Sequence, residues 1–159
     1  MNPMKNKILK FGLAIVICEL AGVLGSIFTV GSVDGWYLTL AKPSFNPPSW
    51  VFGPVWTTLY ALMGVSLFLV WDSKSKSRRH AVEIFGAQLV LNVCWSVIFF
   101  GLHQAAWAFV EILFLWCAIV ATIWAFYKIR PAASYLLVPY LAWVSFAAVL
   151  SYSIWQLNS

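Results

Sequence analysis

The chain has 159 residues, of which 62% are hydrophobic and 9% charged, and its formal net charge is +5 at neutral pH. So little polar side-chain material cannot coat a water-soluble globule of this length, which makes the bilayer the expected solvent. Nucleic-acid binding is not expected either, because the basic residues lie beside apolar runs, where topology and anionic lipid head groups account for them.

Crossing the hydrocarbon core as a helix takes about 20 apolar residues. Runs of that kind fall at 9–31, 51–71, 81–102, 105–127 and 134–156, which predicts an all-α integral membrane protein, a bundle of five transmembrane helices forming one domain. A membrane barrel would instead show short segments of two-residue period. The first run is long enough to span and is read as retained rather than cleaved as a signal peptide.

Between the first two runs lies Trp36-Tyr37-x-x-Leu40-x-Lys42-Pro43-x-x-x-Pro47-Pro48-x-Trp50-x-Phe52-x-Pro54-x-Trp56-x-x-Leu59-Tyr60. Prolines at 43, 47 and 48 cannot donate backbone hydrogen bonds and push their predecessors toward extended conformations. A stiff loop packed by its own aromatics is expected, with Trp36, Lys42, Pro43, Pro47, Pro48 and Trp50 forming a lid. Residues 72–80 are the most flexible connection, and His103-Gln104 forces a tight antiparallel pair. Pro139, inside the fifth run, is expected to kink that helix and shape a cavity. Small-residue spacings such as Ala21-x-x-x-Gly25 and Gly22-x-x-x-Ser26 permit close helix approach, most simply within one bundle.

Lys and Arg beside spans are retained on the cytoplasmic side. Lys5, Lys7, Lys10, Lys74, Lys76, Arg78, Arg79, Lys128 and Arg130 share one side, and only Lys42 lies on the other. In a bacterial-type plasma membrane the N-terminus is therefore cytoplasmic and the Trp/Pro loop faces outward; an outer mitochondrial or bacterial outer membrane is the alternative location.

Counting about 1.5 Å per residue from the outer span ends puts Trp56 and Glu111 ~9 Å deep, Trp95 ~10 Å, Asn92 ~15 Å and Trp143 ~20 Å. Trp56, Tyr60 and Met63 share a face of the second span; Gln88, Asn92, Trp95, Ser96 and Phe99 share one of the third; Tyr140, Trp143, Ala147 and Ser151 share one of the fifth. Trp36, Trp50, Trp71, Trp107, Trp124 and Trp155 sit near boundaries, where an interfacial aromatic belt explains most of them. The deeper Trp56, Trp95 and Trp143 need partners for their indole N–H groups, and their flat faces beside amides and hydroxyls suit a large planar apolar ligand.

Glu19 and Glu111 are the most deeply placed ionisable residues. A neutral carboxyl hydrogen-bonded between helices explains Glu19 better than a ligand role does, and for Glu111 the two are evenly matched. Cys18, Cys94 and Cys117 lie in predicted spans without metal-ligand spacing and read as buried thiols. His80 and His103 lie at opposite span ends, which argues for solvated interfacial residues and against a haem-ligand pair; no metal site is expected.

The Trp/Pro segment resembles the tryptophan-rich sensory protein family, whose animal members are the translocator proteins, once called peripheral benzodiazepine receptors. The resemblance continues in Asn92-x-x-Trp95-Ser96-x-x-Phe99-Phe100-Gly101, Trp107-Ala108-x-x-Glu111 and Pro139-Tyr140-Leu141-Ala142-Trp143-x-x-Phe146-Ala147, so it spans nearly the whole chain. It implies a five-helix bundle, often dimeric, that binds porphyrins and, in animals, cholesterol and synthetic isoquinoline carboxamides. With it, the ligand-binding set is Trp56, Tyr60, Asn92, Trp95, Phe99, Trp107, Trp143 and Ala147. The animal cholesterol motif needs a basic residue after a Tyr, and none follows Arg130, which argues against cholesterol binding through it.

The leading expectation is a receptor or carrier for porphyrin-like ligands, with no cofactor required. The alternative is oxidative or photo-oxidative porphyrin degradation using Trp56 and Trp143, the candidate catalytic indoles implied by the resemblance. An exporter of small cationic drugs is a third reading, for which Glu19 would be the membrane carboxylate. The charge asymmetry predicts that Ser75→Cys is labelled by impermeant thiol reagents only after bacterial cells are opened, whereas Ser44→Cys is labelled in intact cells. Labelling of the Ser75 position from outside would reverse the topology.

Overall fold

The computed structural model describes residues 3–159, and these are helical with no strand among them. The chain forms α1 (Pro3–Val33), the short α2 (Trp36–Thr39), α3 (Ser49–Trp71), α4 (Arg78–Ser96), α5 (Ala105–Tyr127), the short α6 (Pro131–Tyr135) and α7 (Val138–Leu157). Five segments are long and apolar enough to cross a membrane: Met4–Val33, Ser49–Trp71, Arg78–Gly101, Ala105–Tyr127 and Pro131–Leu157. The all-α membrane bundle read from the sequence is thus the observed fold.

Three local departures matter. Helix α1 begins well before the apolar run, since Lys5, Lys7 and Lys10 are good helix formers whose long stems carry their charges toward water. The end of α4 widens into a π-helical turn over Val97–Gly101, which nothing in the apolar pattern signals. Pro139 does not kink the interior of the fifth span. The span breaks at Leu136–Leu137, and Pro139 occupies the first turn of α7, where its missing N–H costs no helix bond.

The packing order around the bundle follows from the contacts. Helix α1 packs mainly on α3 and also on α4, α4 on α5, and α5 on α7, while α6 closes against α3. Ser66 Oγ donates to the Ala133 carbonyl at 2.7 Å, tying α3 to α6 at the end of the bundle where α1 begins. Trp116 Nε1 donates to Ser145 Oγ at 2.9 Å between α5 and α7. Large apolar side chains along α1, among them Val16, Leu20, Leu24 and Ile27, stay exposed, as lipid-facing residues do.

That end is also held by charge. Lys10 Nζ donates to Asp72 Oδ1 at 3.2 Å, and Lys7 lies 3.7 Å from its other oxygen, joining the start of α1 to the end of α3. The Lys10 hydrogen bond holds the Asp72 carboxyl below the usual carboxylate range, against a smaller opposing effect of desolvation and with further help from the Lys10 and Lys7 charges. A depressed carboxyl pKa means that the link is present at neutral pH and is lost as pH falls through that depressed value.

Helix α1 approaches α3 closely at Gly64, where a Cβ would lie 2.7 Å from the Ile15 Cα. Backbone cannot move aside as a side-chain tip can, so Gly64→Ala is expected to overpack this contact and cost about 1–3 kcal/mol. Thermal unfolding in detergent should show a clear loss, while Gly53→Ala, where no atom lies within 4 Å, should leave this helix contact intact. Equal melting curves for wild type and Gly64→Ala would show that α1 and α3 adjust freely.

Candidate functional site

The C-terminal half of α1, the N-terminal half of α3, the end of α4 and the C-terminal part of α7 line a cavity of about 460 Å³. Its floor is a buried hydrogen-bond chain. Tyr60 OH donates to Asn92 Oδ1, Asn92 Nδ2 donates to Tyr140 OH at 2.8 Å, and Tyr140 OH donates to Gln88 Oε1 at 2.8 Å. Gln88 and Asn92 are one helical turn apart on α4, so one face of that helix supplies both amides to phenols arriving from α3 and α7. Satisfied in this way, four polar side chains can lie inside a membrane bundle without an orphaned group at their centre.

Gly22 makes the floor possible. A Cβ there would fall 2.6 Å from the Tyr60 ring, so the phenol occupies space that any larger residue on α1 would claim. Above it Trp56 stacks on Tyr60 with centroids 5.5 Å apart and meets Tyr140 edge-on at 6.3 Å. On the opposite wall Trp143 meets Phe52 edge-on at 6.1 Å, and Trp95 stacks on Phe99 at 5.1 Å. The Trp95 indole N–H is buried and has no partner. The Trp95 ring lines the cavity, while its N–H lies beneath the surface.

The roof comes from the loop between α1 and α3. Tyr37 OH donates to Asn46 Oδ1 at 2.8 Å, and Lys42 Nζ lies 4.7 Å from the Tyr37 ring centre. Asn158, at the end of α7, accepts from Ala41 N and donates to the Ala41 carbonyl, both at 2.9 Å. Trp36 stacks on His103 at 4.3 Å, and Ser32 Oγ donates to the Phe100 carbonyl at 2.6 Å. The loop is therefore fastened to the C-terminal ends of α4 and α7. Burial pushes the Tyr37 phenol above its ordinary pKa, partly offset by the bond to Asn46.

Of the residues singled out in the sequence, Trp56, Tyr60, Asn92, Trp95, Phe99, Trp143 and Ala147 line this one cavity. Trp107 does not. Its side chain is 67% exposed on α5 and borders a separate shallow groove with Leu102, Glu111 and Phe114. Among the lid residues, Trp36, Lys42, Pro43, Pro47, Pro48 and Trp50 fasten or shape the loop without lining the cavity, and Trp50 is 76% exposed. Tyr37, Ser49, Phe52 and Gly53 face it instead. Tyr37 entered the sequence reading only as part of the Trp/Pro motif, because the short turn of α2 that aims it inward carries no separate sequence signal.

Neither membrane glutamate forms the interhelical hydrogen bond that would explain it structurally. Both Glu111 oxygens are buried without a partner, and Glu19 lines the cavity. Cys18 is a buried free thiol, Cys94 is half-buried and Cys117 is exposed on the outer surface of the bundle. His103 is not simply solvated: it packs on Trp36 with a positive φ of 57°. Among the described residues no group of three or more His, Cys, Asp or Glu side chains could hold a metal ion.

Residues 14–156 match the TspO/MBR family. The chain belongs to that family. It is 45% identical over 157 residues to the tryptophan-rich protein TspO of Chlorobaculum tepidum, covering 98% of this chain and 99% of that one. Against the human translocator protein it is 45% identical over 143 residues, 88% of this chain and 85% of the relative. Against the tryptophan-rich sensory protein of Cereibacter sphaeroides it is 36% identical over 137 residues, 84% and 85% of the two chains. As in the sequence reading, family membership and the five apolar helices make this an integral, multi-pass membrane protein.

The roof contact generates a prediction about access. Tyr37→Phe keeps the ring but removes the bond to Asn46, a loss of about 0.5–1.5 kcal/mol for one hydrogen bond. Ligand release, followed by stopped-flow recovery of Trp fluorescence, is expected to be several-fold faster than in wild type. An unchanged release rate would mean that the roof does not control exit.

Proposed function

We propose that the protein is a membrane receptor or carrier for porphyrin-like planar hydrophobic ligands, acting in tetrapyrrole sensing, transport or regulation. The observation that carries this reading is the convergence of three deep indoles, Trp56, Trp95 and Trp143, on one enclosed cavity with phenol and amide groups at its floor. Stacked aromatic walls gain most from a flat conjugated ligand, and the Tyr60 and Asn92 side chains on the same cavity supply the polar groups beside them. No protein group in the cavity is required as an iron ligand, so a metal-free macrocycle suffices as ligand.

Family membership extends the proposal to a homodimer and to synthetic isoquinoline carboxamides as competing ligands. The missing basic residue beyond Arg130 leaves cholesterol outside it. A bacterial-type plasma membrane with a cytoplasmic N-terminus is the orientation that the Lys/Arg asymmetry supports.

A porphyrin added to the protein in nanodiscs is expected to quench its Trp fluorescence. Trp143→Ala should weaken binding through the loss of aromatic stacking worth about 0.5–1.5 kcal/mol together with buried area. Unchanged affinity in a folded variant would move the site elsewhere.

A second reading, oxidative or photo-oxidative degradation of the bound porphyrin, draws on Trp56 and Trp143 lining the same chamber. In that reading the oxidant is dioxygen activated by the illuminated ligand, and the indoles serve as redox partners. Trp56→Phe with Trp143→Phe should then keep much of the affinity, because an aromatic face remains, yet lose conversion to an open-chain product at matched light, oxygen and occupancy. Equal product yields would leave the receptor or carrier reading alone.

A further inference from the structure

The turn between α4 and α5 holds the roof from the side. His103 occupies it with φ 57°, in the left-handed region that histidine adopts more readily than most residues. Its ring lies on the Trp36 indole with centroids 4.3 Å apart and planes inclined by 18°, and its Nε2 stands 3.4 Å from Ser32 Oγ. Trp36 opens α2, the turn that aims Tyr37 at the cavity. His103 is exposed to solvent, so protons reach it without the roof opening.

The hydrogen-bond directions fix the state of that ring. Ser32 has one hydroxyl proton and gives it to the Phe100 carbonyl at 2.6 Å, so toward His103 its oxygen can only accept. Nε2 therefore carries the proton of the neutral imidazole, and Nδ1 is the nitrogen left to take up a second one. Protonation there costs neither the Ser32 contact nor the stack. It strengthens both, because Nε2–H becomes a charged donor and the ring becomes a cation over an indole face.

No fixed charge of the protein competes for this group. Among the described residues His103 forms no ion pair. The segments packed against it, the last turns of α1, the turn α2 and Val97–Gly101, carry no charged residue. The titratable groups around the roof are Asp34 between α1 and α2, Tyr37 bonded to Asn46, Lys42 over the Tyr37 ring, and Glu111, buried in the second turn of α5.

We propose that His103 is a proton-operated latch for the roof: its protonated ring, held on Trp36 and Ser32, keeps the loop closed and slows ligand exit, and its neutral ring lets the loop open. Because the proton favours the closed form, closure strengthens as pH falls and relaxes as pH rises. This regulation rests on the receptor or carrier reading of the cavity beneath.

Ligand release is followed by stopped-flow recovery of Trp fluorescence from the full chain in phosphatidylcholine nanodiscs, between about pH 5 and pH 8, the window in which imidazole changes charge. The probe is a palladium porphyrin with methyl-ester side chains, whose core and edges carry no titrating group, so that a pH dependence belongs to the protein. Wild type is expected to release it about two- to fivefold more slowly at the acid end, as a cation over an exposed indole face implies. His103→Asn, which suits the left-handed backbone but takes up no proton, should release at one rate throughout. Trp36→Leu, which keeps the imidazole but removes the face beneath it, should lose most of the dependence, Trp36→Phe should retain part of it, and Asp34→Asn should leave it in place. Nitrogen-15 NMR of histidine-labelled protein at the basic end should find the His103 proton on Nε2. A proton on Nδ1, a pH-independent release in wild type, an unchanged dependence in His103→Asn or Trp36→Leu, or its loss in Asp34→Asn would overturn the latch, while binding of the probe keeps the receptor reading. Failure of the probe to bind at any pH would overturn the receptor reading and, with it, the role of the latch in release.

Discussion

The bundle depends on the hydrogen-bond chain that runs from Tyr60 through Asn92 and Tyr140 to Gln88. In hydrocarbon a polar side chain has no water to fall back on, so each donor and acceptor must find its partner within the protein. Four side chains from α3, α4 and α7 solve that problem together, and in doing so they fix how far apart those helices stand at one depth. Below that level the bundle is filled by large buried groups such as Phe85 stacked on Phe126. Above it, the same phenols become a floor and the space between the helices stays open.

What keeps the upper space open is aromatic bulk placed as pillars rather than as filling. Trp56 leans on Tyr60 and Tyr140, Trp143 on Phe52, and Trp95 on Phe99, so each indole is braced by a second ring of the protein. Braced rings lose little further freedom when a ligand arrives, which favours binding by lowering its ordering cost. The π-helical turn at Val97–Gly101 belongs to the same design. It ends α4 beside the roof, where Phe100 accepts the Ser32 hydrogen bond and His103 stacks on Trp36.

Five spans, their order and most of the cavity wall were legible in the sequence because hydropathy and helical periodicity report burial directly. Trp56, Tyr60, Asn92, Trp95 and Trp143 could be placed on inward faces by counting turns, and their depths brought them to one half of the membrane. The misplacements have a common cause. Trp107 and Trp50 carry the right chemistry, but their direction is set by which face α5 and the start of α3 turn toward lipid or water, and a mixed aromatic surface does not reveal that. Pro139 was visible as a helix disturbance, yet whether a proline interrupts a helix or begins one depends on the residues before it. Here the Leu136–Leu137 turn, apolar like its surroundings, decides the matter. Tyr37 escaped because a single turn of helix, not a periodic pattern, points it at the cavity.

The two membrane glutamates show how access, more than depth, divides the possible roles of a carboxyl. Glu111 has both oxygens buried and bonded to nothing, and it borders only the shallow groove on α5 beside Trp107 and Phe114. Glu19 lies in a comparably apolar span, and yet it borders an open chamber with aromatic faces close by. The electrostatic cost that both incur on leaving water is more readily offset at Glu19, which borders the aromatic cavity. The same physical penalty thus weighs differently on the two groups, according to what lies beside each.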